Sequence, residues 1–209
     1  MPAPTKVMKR QHYDALPIDA MGDFMARLRE QDGIGARALE LAILTAARSG
    51  EVRGAKWSEF DLKASVWIIP AERMKAGKEH RVPLSAPALK LLESLPRVGD
   101  TGLVFPSRRD GLVSDMTLVA VLRRMEVAAV PHGFRSTFWD WTAERTSYPN
   151  EVCEMALAHT IGDKVEAAYR RGDLFDKRRQ MMSDWATFIG RPSVHSGEVV
   201  HIRAKTRLA

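Results

Sequence analysis

The chain has a single cysteine, Cys153, in 209 residues. One thiol excludes an internal disulfide and suits a reducing cytoplasm. No apolar run approaches the roughly 20 residues that a membrane-spanning helix needs, so no membrane partner is expected. Met1 is followed by Pro2-Ala3-Pro4 with no apolar core behind it, and no signal peptide is expected. There is neither an internal repeat nor a low-complexity block. Acid is the scarcer charge: 26 Asp and Glu against 32 Lys and Arg leave a net +6. That excess favours an anionic partner, such as nucleic acid or a membrane surface, although a basic protein without such a partner has the same composition.

What is present is ordinary for a globular domain: 45% apolar and 28% charged residues. Residues 1–16 carry Lys6, Lys9 and Arg10 with no apolar period, and are expected to be a linker or arm. Residues 17–190 are expected to form one folded domain. Residues 191–209, with Arg191, Arg203, Lys205 and Arg207 against Glu198, are expected to be a basic tail that is mobile or waits for a partner.

Helical spacing recurs along the domain. Met21, Phe24, Met25 and Leu28 form one stripe, and Leu39, Ala42, Ile43 and Ala46 form another over about 36–47. Further helices are expected after Pro87, after Ser114-Asp115, after Pro131, over about 150–158, around Val165 and Tyr169, and over about 176–189. Residues 61–85 differ. Ser65 to Pro70 is a short β-branched run closed by proline. Arg73-Met74-Lys75 and His80 to Leu84 then flank Ala76-Gly77-Lys78-Glu79, a hairpin pattern with glycine in the turn. The expected fold is therefore mainly α with a small three-stranded antiparallel sheet.

Several groups suit phosphate chemistry. Arg48 lies where the second helix ends, and Glu51 is one turn away, close enough to pair with it. A surface ion pair reads the same way. The hairpin bears Arg73, Lys75, Lys78, His80 and Arg81, which could follow a phosphate backbone or simply keep an edge strand solvated. His132 and Arg135 are three residues apart and share a helix face. His159 and Tyr169 each fit an apolar stripe, so each reads equally as a core residue. Cys153, His132 and His159 match no zinc spacing.

In their joint order these residues mean more. Arg48, Lys75, His132-Gly133-Phe134-Arg135, Leu157-Ala158-His159 and Ala168-Tyr169-Arg170-Arg171 resemble the tyrosine recombinases, or phage integrases. The likeness extends through Gly54 to Leu62, Arg81 to Ser85 and Arg178 to Trp185, in the manner of the satellite-phage and genomic-island branch. It implies a tyrosine recombinase catalytic-domain fold and a metal- and ATP-independent enzyme that cuts and rejoins DNA through a 3′-phosphotyrosyl link. It implies that Tyr169 is the nucleophile, that Arg48, Arg135 and His159 hold the non-bridging oxygens, and that Lys75 is the acid for the leaving oxygen. His132 would assist near Tyr169, Glu51 would orient Arg48, and Arg73, Lys78, His80 and Arg81 would contact DNA. No cofactor or metal is implied. The implied partners are double-stranded DNA, three further copies on that DNA with a monomer when free, and accessory excision or architectural proteins.

Two departures stand out. Such proteins usually have glycine at the position of Ala46, where alanine serves if its backbone keeps a negative φ, and Trp139 stands where a polar residue is common. No segment before residue 17 could form the DNA-clamping domains that such proteins carry, so an isolated catalytic domain is expected. Two other readings remain: an inactive DNA-binding remnant of an integrase, and a type IB topoisomerase-like activity.

Overall fold

The α2 helix, Ile34–Thr45, runs through the middle of the molecule, and the other helices are arranged around it. Its sequence promised one apolar face. In the computed structural model, which describes residues 14–97, 102–107, 111–159 and 172–192, it is buried almost all round. Even Glu40 is only 4% exposed. Its carboxylate is paired with Arg29 at 2.8 Å and Arg37 at 3.0 Å. A buried charge persists only when it is matched in this way.

Around α2 pack α1 (Met21–Arg29), α3 (Ser49–Arg53), α4 (Ala86–Ser94) and α5 (Asp115–Arg124). Met21, Phe24, Met25 and Leu28 of α1 are all buried, as their spacing predicts. Pro87 sits in the first turn of α4, where a missing N–H costs nothing. Then come α6 (Gly133–Arg145), α7 (Asn150–Ala156) and α8 (Phe175–Ile189). Trp185 of α8 is fully buried and donates its indole N–H to the Ile43 carbonyl at 2.8 Å, which pins α8 to α2. Phe138 meets Trp185 edge-on, with centroids 5.3 Å apart, and Trp141 packs beside them. This aromatic cluster holds α6 against α8.

The sheet has three antiparallel strands in the order β1 (Phe60–Asp61), β2 (Val66–Ile69) and β3 (His80–Pro83). Trp67 faces Phe60 on one side and Val82 on the other. The strand count matches the expectation, but its membership does not. Arg73-Met74-Lys75 is not a strand, and Phe60–Asp61 supplies the third. Pro70 has no N–H for a ladder, and Ala71–Arg73 turn at once into a 3₁₀ helix. Ile69 pairs directly with His80, so residues 70–79 form one long loop between β2 and β3. The helix expected around Val165 and Tyr169, the arm to residue 13 and the tail from 193 lie outside the described residues.

Candidate active site

Four helix ends and one loop supply the site. The first end is the C-terminus of α2. Ala46 leaves the helix at φ 51°, in the left-handed region. Ala46 therefore does not keep the negative φ under which alanine would serve in place of glycine. Arg48 then caps α3. The Glu51 carboxylate accepts both the Arg48 backbone N–H and its Nη1, each at 2.8 Å. Glu51 is 6% exposed, so this is an internal clamp rather than a surface ion pair.

The second end is the N-terminus of α6. His132 is its N-cap and stands exposed. Gly133 follows because a Cβ there would lie 2.1 Å from the Asp14 carbonyl oxygen. Arg135, one turn in, is 5% exposed. Its Nη1 donates to the Ala46 carbonyl and its Nη2 to the Leu157 carbonyl at 2.6 Å. Its Nε is buried without a partner among the described residues. Burial, and then the charge of Arg48, bring its pKa down to about 10.

The C-terminus of α7 is the third end. Ala158 turns left-handed at φ 47°. Its N–H bonds the Met155 carbonyl at 3.2 Å, and the His159 N–H bonds the Glu154 carbonyl at 2.9 Å. Leu157-Ala158-His159 is thus a Schellman turn with alanine where glycine is usual. The turn folds His159 back over Glu154, whose carboxylate meets Nδ1 at 2.7 Å. Trp139 stacks on the His159 ring, with centroids 6.4 Å apart. The Ala158 carbonyl accepts from Arg48 Nη2 at 3.2 Å.

The N-terminus of α3, capped by Arg48, is the fourth end, and the loop after β2 brings Lys75. Arg48, Lys75, Ala76, His132, Arg135, Glu154, Ala158 and His159 together line a cleft of about 560 Å³. Clefts of about 660 and 700 Å³ lie elsewhere, but no histidine lines either of them. The five catalytic candidates within the described residues therefore converge on one concavity. The sixth, Tyr169, lies outside them. Two participants had no sequence signal assigned to them, Glu154 and Trp139. Glu154 precedes His159 by five residues, and a helix that ends in a Schellman turn brings that pair together.

Charge explains the titration of the histidines. Burial, then Arg135, Arg48 and His159, hold His132 below its ordinary value. Burial also lowers His159; Glu154 opposes that shift, while Arg135 and Arg48 add to it. Both shifts describe a cationic cleft, one suited to an anion. Guanidinium forks match phosphate oxygens. Among the described residues no group of three His, Cys, Asp or Glu is placed to hold a metal ion.

The residues expected to touch DNA separate. Lys78 is exposed at the tip of the loop, and Arg81 is exposed with its guanidinium 4.1 Å from the Phe175 ring centroid. His80 is mostly buried, and burial first, then Arg178, brings its pKa to about 4; its ring bonds the Ala156 backbone. Arg73 turns inward to Glu59 and to the Glu51 carbonyl.

A mainly helical domain with a three-stranded sheet thus carries a cleft lined by arginine, histidine and lysine. The family model "Phage integrase family" matches residues 16–173, and the chain belongs to that family of tyrosine recombinases. It is 36% identical over 203 residues to the integrase of Enterobacteria phage P4, covering 87% of this chain and 46% of that protein. The chain thus spans less than half the length of that relative. Among solved structures, the integrase from mycobacterium phage Brujita aligns with a TM-score of 0.64 at 16% identity, over 88% of this chain and 61% of that one. A lambda integrase tetramer bound to a Holliday junction aligns with a TM-score of 0.56 at 15% identity, over 81% and 51%. At these identities the structural likeness concerns the fold. Among the described residues no helix is long and apolar enough to cross a membrane.

Proposed function

We propose that this domain breaks and rejoins DNA strands as the catalytic part of a site-specific recombinase. The observation that carries the reading is the convergence of Arg48, Lys75, His132, Arg135 and His159 on one cleft. In the proposed reaction the Tyr169 hydroxyl attacks the scissile phosphorus. Its proton passes to His132, which is neutral at pH 7 because its pKa is depressed. Arg48 and Arg135 hold the two non-bridging oxygens with their guanidinium N–H groups, and His159, protonated once the phosphate charge enters the cleft and offsets that of the arginines, donates to one of them. Lys75 gives a proton to the departing 5′-oxygen, and a 3′-phosphotyrosyl bond remains. A free 5′-hydroxyl reverses the steps, so the phosphodiester energy is kept.

Double-stranded DNA is the proposed substrate, with Lys78 and Arg81 on its backbone. The working assembly is proposed to be a homotetramer on two duplexes, in line with the lambda integrase tetramer, and formed from monomers in the cell interior. Accessory excision or architectural proteins are proposed partners by the same family likeness.

The test is a nicked suicide duplex carrying the core site, which traps any covalent adduct. Wild type is expected to form the adduct and Tyr169→Phe to form none. DNA binding without an adduct overturns the catalytic reading in favour of a binding remnant. Relaxation of supercoiled DNA without recombinant products would favour a topoisomerase-like activity.

A further inference from the structure

Arg73 has a different job from its expected one. It sits two residues before Lys75, on the 3₁₀ turn that follows β2. Its Nη1 donates to both Glu59 carboxylate oxygens, and its Nη2 to the Glu51 backbone carbonyl. Glu59 also accepts the Trp67 indole N–H at 2.9 Å. The Glu59 side chain is 7% exposed and that of Arg73 19%. With its charge matched by Glu59 and both terminal nitrogens engaged, Arg73 is not available to a phosphate.

Its position looks built. A Cβ on Gly54 would come within 3.0 Å of Arg73 Nη2, so α3 leaves room there for the guanidinium. The next residue, Met74, is buried, and the loop emerges only at Lys75, after which residues 75–79 are exposed. The Gly77 N–H bonds the Met74 carbonyl at 3.0 Å and closes the turn at the point of emergence. Arg73 and Met74 are thus the last anchored points before the exposed Lys75. The connection is short and continuous: Trp67 to Glu59, to Arg73, to the Glu51 carbonyl, while the Glu51 carboxylate holds Arg48. One buried network ties the loop of Lys75 to the helix that Arg48 caps.

We infer that Arg73, braced by Glu59, is a positioning residue that registers the Lys75 ammonium against Arg48 in the cleft. Proton donation requires heavy-atom contact within hydrogen-bond reach, and a misplacement of about 1 Å can cost about 10²-fold. The network supplies that register at the root of the loop. This inference rests on the proposed strand-cleavage chemistry.

The experiment compares two suicide duplexes that differ in one atom, the 5′-bridging oxygen or a sulfur at the scissile phosphate. A thiolate leaves without a proton, so the sulfur substrate bypasses the acid. Single-turnover cleavage is followed for wild type, Lys75→Ala, Arg73→Ala, Arg73→Lys and Glu59→Gln, with DNA affinity measured at several salt concentrations. On the oxygen substrate Lys75→Ala is expected to lose about 10²–10⁴-fold, the range of a general acid. Arg73→Ala is expected to lose about 10–10²-fold, and the pair together no more than Lys75→Ala alone. On the sulfur substrate all variants are expected to return to within a few-fold of wild type.

An Arg73 variant equally slow on both substrates overturns the inference, because a general loss of structure would do that. A fall in DNA affinity with a smaller salt slope overturns it in favour of a phosphate contact. If Arg73→Ala does not fold, Arg73→Lys, which keeps the charge but not the fork, decides by the same ratio of the two rates. Failure of wild type on both substrates instead removes the cleavage reading on which the inference stands.

Discussion

The buried guanidinium of Arg135 donates to the carbonyl of Ala46, a residue held at φ 51°. A left-handed L-residue therefore carries one of the acceptors that orient a catalytic candidate. For a non-glycine residue this conformation costs roughly 1–2 kcal/mol. Glycine relieves it, but returns about 0.4–1 kcal/mol through greater freedom in the unfolded chain. Ala46→Gly is expected to stabilise the protein by about 0.5–1 kcal/mol, read as a rise of roughly 1–4 °C in Tm for a chain of this size. A fall in Tm would mean that the turn is not strained.

Arg135→Lys preserves charge and discards the fork. Arg135 spans two carbonyls, on Ala46 and Leu157, from the C-terminal ends of two helices. A single ammonium cannot bridge both and also meet a phosphate. Cleavage is expected to fall by about 10²–10³-fold, the usual cost of one lost electrostatic donor. Gel assays of the covalent adduct measure this, and a loss under tenfold would remove Arg135 from the proposed clamp.

His159 and His132 are expected to set opposite limbs of the pH profile for cleavage. Glu154 holds His159 Nδ1, so Nε2 can donate only when the ring is protonated. Activity should then decline as pH rises through the His159 pKa in the DNA complex. Glu154 raises that pKa, so in Glu154→Ala the alkaline limb should move to lower pH. His132 works neutral, and its depressed pKa places the acid limb below about 6.5, its ordinary value. That limb should not move in Glu154→Ala. Single-turnover rates across pH 5–9 distinguish the two, and an unmoved alkaline limb counts against His159 as a charged donor.

Stability should also depend on acid through His80. Its pKa is about 4 in the folded chain and about 6.5 when unfolded. Between those values the unfolded chain binds the extra proton. The contribution is therefore complete above pH 6.5 and is lost as pH falls toward 4. Urea midpoints measured from pH 7 to pH 4.5 should fall in the wild type and fall less steeply in His80→Gln. Identical slopes would show that the ring is solvated in the native state.

Much of the fold was legible because apolar residues repeat with the period of the element they build. Met21, Phe24, Met25 and Leu28 could only make one face of a helix, and they do. The sheet was legible as a region but not strand by strand. Arg73-Met74-Lys75 has strand-like neighbours, yet Pro70 and the burial of Met74 turn it aside, and a two-residue strand such as Phe60–Asp61 has no period to detect. Trp139 went unassigned because its partner, His159, is twenty residues away and reaches it only through the turn at Ala158.

The sequence alone determined the residue types of the candidate site and their order: Arg48, His132, Arg135 and His159 fall at helix ends that local spacing marks, whereas Lys75, expected on a strand, lies in the loop after β2. Tertiary structure decided which charges are spent inside the protein and which face the cleft. Arg73 and Arg81 look alike in a hairpin pattern, but Glu59 and the room beside Gly54 draw one inward, while the other stays exposed. Pairing of this kind depends on through-space contact between α3 and the loop after β2, which no local period records. At Ala46 and Ala158 likewise the carbonyls of left-handed residues accept from the distant Arg135 and Arg48, contacts that only the tertiary structure creates.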